Sequence, residues 1–310
     1  MSIEVIKTEG LTKQYGKLAA VDGADLVVPP GCVFALMGRN GAGKTTLIRC
    51  LLGLTPISGG SARVLGKDAA REHVAIRREV GYVPETHHLI RWMRIEELAW
   101  FTSAFYPTWN ATLCGDLLRR FDLDPKKRVR ELSRGMVAKL ALTLALAHEP
   151  SLLVLDEPTS GLDAVVRKEF LESVIGVAAV EGRTVLISSH ILHDVERVTD
   201  RVALMDHGRI RLVEDLATLK QRMREVRVTF KGEPPAGCDL PGLLRLQRGA
   251  HEWVMVFGEF DREMPSKLAT TFPGARIETR EMNLEEIFVA LVEEETPEFA
   301  ASGAGGGERR

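Results

Sequence analysis

The sequence has few cysteines, no long apolar run and no excess of charge of one sign. Its four cysteines form no Cys-x-x-Cys pair in 310 residues, which argues against a disulfide scaffold or a structural zinc site and fits a reducing compartment. The net charge is −2, so we expect no nucleic-acid partner. No apolar stretch approaches the roughly 20 residues that span a bilayer, and residues 1–7 do not resemble a signal peptide. The length is enough for about two domains.

Apolar segments of strand length alternate with helical segments over residues 1–220. Val33–Met37 and residues 151–155 are continuous apolar runs, which are typical of strands covered on both faces. Helical spacing dominates between about residues 90 and 150, in segments 95–105, 112–121 and 135–147. This alternation predicts an α/β fold with a parallel sheet and helices on both faces.

The composition changes near residues 231–241, where Gly, Pro and Asp cluster. Short alternating segments surround this break, and a final helix is predicted to begin at Asn283, which can form a capping box with Glu286. We therefore predict a small appended α+β domain over residues 221–294. The remaining residues, 295–310, are predicted to be a disordered tail.

The strongest local pattern is G-x-x-x-x-G-K-[ST] at residues 38–45, between an apolar strand and a helix. Its glycines let backbone N–H groups converge on phosphate oxygens, and the helix start adds a positive dipole end. Lys44 would place a charge on the β- and γ-phosphates, and Thr45 would offer a hydroxyl to Mg²⁺. The predicted nucleotide-binding residues here are Gly38, Arg39, Asn40, Gly41, Ala42, Gly43, Lys44, Thr45 and Thr46.

Two carboxylates, Asp156 and Glu157, follow the apolar run at residues 152–155. They stand at the carboxyl end of a buried strand, where nucleotides bind in open α/β sheets. Asp156 suits the coordination shell of Mg²⁺, and Glu157 is placed to orient or deprotonate an attacking water. Coupled to the phosphate loop, this pair indicates a nucleotide hydrolase rather than two solvated acids.

Over about residues 4–220 the sequence resembles the nucleotide-binding subunits of ATP-binding cassette (ABC) transporters. Six motifs carry the resemblance in order: residues 38–45, 81–85, 132–136, 156–157 and 160–163, and His190. One such match would be weak, whereas six at these spacings are specific. The resemblance implies a P-loop ABC ATPase domain with an N-terminal antiparallel β subdomain, a helical subdomain, and ATP and Mg²⁺ as ligands.

The resemblance also implies a role for individual residues. Tyr15 would stack on the adenine, and His190 would contact the γ-phosphate and hold the attacking water. Ser133 and the backbone of Gly135 would bind the γ-phosphate of ATP held by a second cassette. Asp163 would help to align the two cassettes.

Two positions depart from the family pattern. Glu85 stands where the family usually has Gln; a carboxylate oxygen still suits Mg²⁺ or the water, so we expect activity to survive. The signature at residues 132–136 reads Leu-Ser-Arg-Gly-Met rather than Leu-Ser-Gly-Gly-Gln. Arg134 adds a charge and Met136 removes an amide, but the hydrogen-bond donors of Ser133 and Gly135 remain, so we expect a competent site.

The implied function is an ATPase subunit that powers a separate membrane permease from the cytoplasmic face of the cell membrane. One chain carries one cassette, so a second cassette is needed, most simply another copy of the chain. The signature, residues 106–109 and the C-terminal extension resemble bacterial exporter-type cassettes. The apolar residues Leu89, Ile90, Trp92 and Met93 would either face the permease or pack within the helical subdomain.

Two other functions stay open. A soluble ABC ATPase that acts on ribosomes or DNA usually joins two cassettes or carries coiled-coil or basic insertions, and this sequence shows neither. A nucleotide sensor that binds ATP without hydrolysing it would fit the departures at Glu85 and the signature. Such a sensor would need neither Glu157 nor His190. The sequence indicates no role for residues 221–294.

Overall fold

In the computed structural model the described residues are 4–181 and 183–292, without the side chains of residues 177–181. The predicted tail at residues 295–310 therefore lies outside the described residues. The chain divides into two compact units, Met1–Leu216 and Ala217–Arg310. The predicted domain boundary between residues 220 and 221 is close to this division. The assignment of functional domains stays a prediction.

The secondary structure follows the predicted alternation. In chain order, the strands are β1 (Ile6–Tyr15), β2 (Leu18–Val28), β3 (Val33–Met37), β4 (Gly59–Val64), β5 (Lys67–Asp68), β6 (Val80–Val83), β7 (Leu152–Asp156), β8 (Thr184–Ser189), β9 (Arg201–Asp206), β10 (Arg209–Asp215), β11 (Arg224–Thr229), β12 (Leu243–Arg248), β13 (Glu252–Phe257) and β14 (Arg276–Glu281). The helices are α1 (Lys44–Leu51), α2 (His73–Glu79), α3 (Ile95–Ser103), α4 (Ala111–Arg120), α5 (Arg134–Leu146), α6 (Ala164–Glu181), α7 (Leu192–Glu196), α8 (Leu216–Arg222), α9 (Met264–Thr271) and α10 (Leu284–Val292).

The central sheet has the strand order β10-β9-β3-β8-β7-β6. Five of these strands run parallel, and β10 pairs with β9 in the antiparallel sense. Every residue of β3 and β7 is buried, as their continuous apolar sequences predicted. The parallel sheet expected from the alternation is thereby confirmed, and it brings the carboxyl ends of β3, β7 and β8 to one edge.

A second, antiparallel sheet has the order β2-β1-β4-β5. The hairpin between β1 and β2 turns after Tyr15, which pairs with Leu18. Leu47, Ile48 and Leu51 of α1 belong to a core that also contains buried residues of both sheets. Helix α1, which follows the phosphate loop, is therefore anchored between the two sheets.

Helices α3, α4 and α5 form the predicted helical region. Asn110 caps α4 by accepting a hydrogen bond from the backbone N–H of Leu113 at 2.9 Å, and Ser133 caps α5 by accepting one from Met136 at 3.3 Å. The sequence did not predict α2, because its seven residues bury only Ile76 and show too little periodicity.

The second unit contains an antiparallel sheet of order β12-β13-β11-β14. Met264 and Leu268 of α9 pack in a core with Trp253. The predicted cap of α10 is confirmed: Asn283 Oδ1 accepts from the backbone N–H of Glu286, and Glu286 Oε2 accepts from that of Asn283, both at 2.9 Å. This unit is an α+β structure, as expected.

Close packing of β6 against α5 depends on Gly81. A Cβ at this position would collide with the carbonyl oxygen of Ala145 and lie 3.0 Å from Pro150 Cγ. We expect Gly81→Ala to lower the free energy of unfolding by about 1–3 kcal/mol, measured by urea denaturation. The control is Gly115→Ala in α4, where a Cβ meets nothing within 4 Å. This substitution should raise the free energy of unfolding by about 0.5–1 kcal/mol. Equal effects of the two substitutions would contradict this account.

Candidate nucleotide-hydrolysis site

The loop at residues 38–45 joins β3 to α1. Its backbone needs glycine at Gly43, which has φ of 105° and no space for a side chain, because a Cβ would collide with the carbonyl oxygen of Ala20. The loop leads directly into Lys44, the first residue of α1. The backbone N–H groups at the start of this helix are thereby available to bind an anion.

Lys44 and Glu157 form a buried ion pair at the centre of the site. Their side chains are only 5% and 8% exposed, and Lys44 Nζ lies 3.0 Å from Glu157 Oε1. Lys44 Nζ also donates to the carbonyl oxygens of Gly38 and Arg39, at 2.7 and 3.2 Å. A buried charge without a partner is costly, so each of these two residues stabilises the other.

Asp156 lies at the end of β7, next to α1. Its Oδ1 accepts hydrogen bonds from Thr45 Oγ1 at 3.0 Å and from Ser188 Oγ at 2.7 Å. Burial raises the pKa of Asp156, and the hydrogen bonds from Ser188 and Thr45 oppose that rise. Its buried Oδ2 accepts no hydrogen bond from the described part of the chain. An unsatisfied carboxylate oxygen beside a hydroxyl is the hard oxygen donor set that Mg²⁺ takes, so these residues fit a magnesium ion.

Glu157 faces His190 across the ends of β7 and β8. Its Oε2 lies 2.7 Å from His190 Nδ1 and accepts the backbone N–H of His190 at 3.3 Å. The imidazole nitrogen that faces the carboxylate therefore carries the proton. Glu157 has φ of 47°, a left-handed conformation that is uncommon for a residue with a side chain. A carboxylate held between a cation and an imidazole is a suitable base for an attacking water.

A cleft of about 870 Å³ contains most of the predicted site. Among the residues that line it are Tyr15, Lys44, Thr45, Thr46, Glu85, Glu157 and His190, together with residues 40–43 of the phosphate loop. Tyr15 is half exposed at the turn of the β1–β2 hairpin, and Lys13 Nζ lies 4.8 Å from its ring centroid. The cleft thus combines an aromatic ring with the residues of the phosphate loop.

Six predicted residues are not among those that line this cleft. Three of them, Gly38, Arg39 and Asp156, are hydrogen-bonded to Lys44 or Thr45, which do line it. The other three are Ser133, Gly135 and Asp163. Ser133 is exposed at the start of α5, and Gly135 is buried against Val166. Asp163 caps α6, where its Oδ1 accepts from the backbone N–H groups of Val165 and Val166 at 3.1 and 3.0 Å. Arg134 lines a neighbouring cleft of about 680 Å³, which shares Glu85 and Ser160 with the first. Within one chain, the signature segment therefore does not line the phosphate-loop cleft.

Sequence reasoning missed Ser188, which contacts the carboxylate of Asp156 and the backbone of Glu157. Its Oγ accepts from the backbone N–H of Glu157 at 2.9 Å in addition to its bond to Asp156. The available signal was a polar residue that ends an apolar strand two positions before His190.

An apolar groove of about 490 Å³ lies in the helical region. It is lined by Leu89 and Ile90, by Leu98 and Phe101 of α3, and by Ala141, Leu144 and Ala145 of α5. Trp92 is 64% exposed and Trp100 is 77% exposed. From the sequence, residues 89–93 were expected either to face the permease or to pack within the helical region. Packing does not account for Trp92, because most of its side chain is exposed.

The chain is similar to known proteins over most of its length. The family model described as ABC transporter matches residues 21–160. The bacitracin transport ATP-binding protein BcrA of Bacillus licheniformis is 34% identical over 223 residues, which cover 71% of this chain and 73% of that protein. The Nod factor export ATP-binding protein I of Ralstonia nicotianae is 32% identical over 311 residues, which cover 94% of each chain.

The chain belongs to the family of ABC transporter ATP-binding proteins. A solved ATP-binding subunit of an ABC transporter is 29% identical, with a TM-score of 0.64, and the match covers 70% of this chain and 92% of that one. The P-loop ABC fold expected from the sequence is confirmed. This cassette binds and hydrolyses ATP and powers a transporter.

The Lys44–Glu157 pair predicts a specific stability effect in this cassette. Without nucleotide, Lys44→Ala should lower the free energy of unfolding by about 3 kcal/mol, because it leaves Glu157 buried without its cation. The double variant Lys44→Ala/Glu157→Gln should lose less, since the uncompensated charge is gone. Urea denaturation measures both. Lys168→Ala, which removes an exposed lysine, should change stability by less than about 0.5 kcal/mol.

Proposed function

We propose that this cassette hydrolyses Mg-ATP at composite sites of a cassette dimer and drives a separate membrane permease in the direction of export. The observation that carries the proposal is the convergence of Lys44, Glu157 and His190 in one cleft beside Asp156. A base, its imidazole partner and a cation for phosphate meet there at distances of 2.7–3.0 Å.

Binding of the phosphates would exchange the partners of Lys44. Its Nζ would leave the carbonyl oxygens of Gly38 and Arg39 and the carboxylate of Glu157 for phosphate oxygens. Glu157 would then be free to accept a proton from water, while His190 Nδ1 continues to donate to Oε2. The water oxygen bonds to the γ-phosphorus as the bond to the β–γ bridging oxygen breaks, giving ADP and phosphate.

Asp156 and Thr45 would hold the magnesium ion. Glu85 lines the same cleft as Thr45. When bound, Mg²⁺ neutralises phosphate charge and orients the phosphates for attack. Glu85 brings a carboxylate oxygen where the family usually has a neutral amide, and that oxygen also suits a hard cation. Tyr15 would stack on the adenine from the open side of the cleft.

The composite site would need a second cassette. Ser133 and Asp163 are exposed and lie outside the phosphate-loop cleft of their own chain, which supports their action on the ATP of a partner. We propose that the partner is a second copy of this chain. Arg134, at the start of α5, would add a positive charge to the closing surface.

The permease would occupy the apolar groove lined by α3, α5 and residues 89–90. Exposed Trp92 and Trp100 extend the apolar surface of the same helical region. In the described residues, no helix combines the length and the apolar character needed to cross a bilayer. We propose that the cassette works at the cytoplasmic face of the cell membrane, bound to its permease. The proposed direction of export draws on relatives named for Nod factor export.

The role of Glu157 is tested by Glu157→Gln. We expect kcat to fall by about 100-fold or more, because the amide cannot accept the proton. ATP binding should persist, and size-exclusion chromatography with Mg-ATP should then show a dimer that cannot reopen by hydrolysis. Glu172→Gln, at an exposed position of α6, is the control and should retain the wild-type rate. Full activity of Glu157→Gln would disprove the assigned role.

The permease surface is tested by membrane capture. Affinity purification of Glu157→Gln from detergent-solubilised membranes with Mg-ATP should recover a stoichiometric protein with several membrane spans. Phe101→Ser, which makes the groove polar, should lower that recovery and leave the ATPase activity of the isolated cassette unchanged. Val74→Ser, an exposed residue outside the groove, is the matched control. Recovery with ribosomes would favour a soluble ABC ATPase instead.

A further inference from the structure

Ser188 is a fully buried polar residue at the carboxyl end of β8. Its hydroxyl makes two hydrogen bonds: it donates to Asp156 Oδ1 at 2.7 Å and accepts from the backbone N–H of Glu157 at 2.9 Å. A single hydroxyl therefore touches both residues of the strand-end pair. Its proton goes to the carboxylate of Asp156, and one of its lone pairs accepts the N–H of Glu157.

The first bond selects the free oxygen of Asp156. Oδ1 accepts from both Ser188 and Thr45, whereas the buried Oδ2 accepts no hydrogen bond from the described residues. Because the carboxylate is held through Oδ1, its rotation is restricted and Oδ2 remains the oxygen available to a cation. Hydrogen-bonded partners behind a metal ligand commonly set its orientation in this way.

The second bond supports the unusual backbone of Glu157. Its φ of 47° is a conformation that persists only where neighbouring groups fix it. The hydrogen bond from its N–H to Ser188 Oγ is such a constraint. In this conformation the carboxylate reaches Lys44 at 3.0 Å and His190 at 2.7 Å.

The register of the sheet makes this arrangement a consequence of the fold. Ser188 is paired with Asp156 in the β7–β8 ladder and with Leu36 in the β3–β8 ladder. Two residues later, the same chain segment supplies His190 to Glu157. One strand end thus delivers a contact to each carboxylate.

We infer that Ser188 is a positioning residue of the ATPase reaction, which orients Asp156 toward the cation and Glu157 toward the attacking water through one hydroxyl. The inference rests on the proposed function, because it takes the roles of these two carboxylates from it. Ser188 itself does not line the cleft, so it acts through Asp156 and Glu157.

The test compares Ser188→Ala with Ser189→Ala in the full chain. Ser189 is also buried, but its hydroxyl bonds to the backbone of Ile191, at 2.9 Å from the N–H and 3.2 Å from the carbonyl oxygen. We expect Ser188→Ala to lower kcat by about 10–100-fold, with the affinity for ATP in EDTA unchanged. Ser189→Ala should retain the wild-type kcat.

A second readout separates positioning from a general structural effect. Titration calorimetry gives the affinity for ATP with Mg²⁺ and with EDTA, and the ratio measures what the cation contributes. Ser188→Ala should reduce this ratio about 10-fold, whereas Ser189→Ala should leave it unchanged. Ser188→Thr keeps the hydroxyl and should restore both kcat and the ratio.

The inference is wrong if Ser188→Ala matches Ser189→Ala in both kcat and the Mg²⁺ ratio. Hydrolysis by the wild-type chain in the same assay keeps that result distinct from a failure of the proposed function, in which the wild type itself would be inactive or independent of Glu157. If Ser188→Ala does not fold, Ser188→Cys carries the same comparison, because it retains the size of the side chain but is only a weak donor.

Discussion

The site is organised around two opposite charges that have been removed from water together. Lys44 belongs to the first turn of α1 and Glu157 to the turn after β7, and removal of either residue would leave the other buried without its counter-ion. The carbonyl oxygens of Gly38 and Arg39 and the imidazole of His190 complete the shell around the pair. In the proposed mechanism an incoming phosphate would compete for Lys44, so that substrate binding and release of Glu157 would be one event.

The parallel sheet explains why these groups meet. Strands β3, β8 and β7 lie side by side and end at the same edge, so the residues that follow each strand are close in space although they are far apart in sequence. The phosphate loop follows β3, the two carboxylates end β7, and His190 follows β8. Asp156 is paired with Ser188 in the observed register, and a shift by one residue would turn the side chain of Asp156 to the opposite face of the sheet.

Much of this could be predicted from the sequence, because the decisive signals are local. The glycine spacing of residues 38–45, the acids after an apolar strand and the capping box at Asn283 each depend on a few neighbouring residues. Ser188 could not be assigned in this way, since its role depends on a register of strands that are far apart in the chain. Helix α2 was missed because tertiary packing of Ile76, rather than periodicity, accounts for it. The apolar groove could not be predicted either, because its walls come from several segments that are far apart in the sequence.

Helix α5 joins the two surfaces that the proposed cycle uses. It begins after Ser133, at the signature, and its later residues Ala141, Leu144 and Ala145 form a wall of the apolar groove. Its 13 residues are continuous, so one helix reaches both surfaces. A permease segment seated in the groove would therefore contact the same helix that, in the proposed cycle, closes over the partner's nucleotide. Gly81 lets β6, the edge strand of the central sheet, approach Ala145 of this helix, and Glu85 follows β6 in the chain.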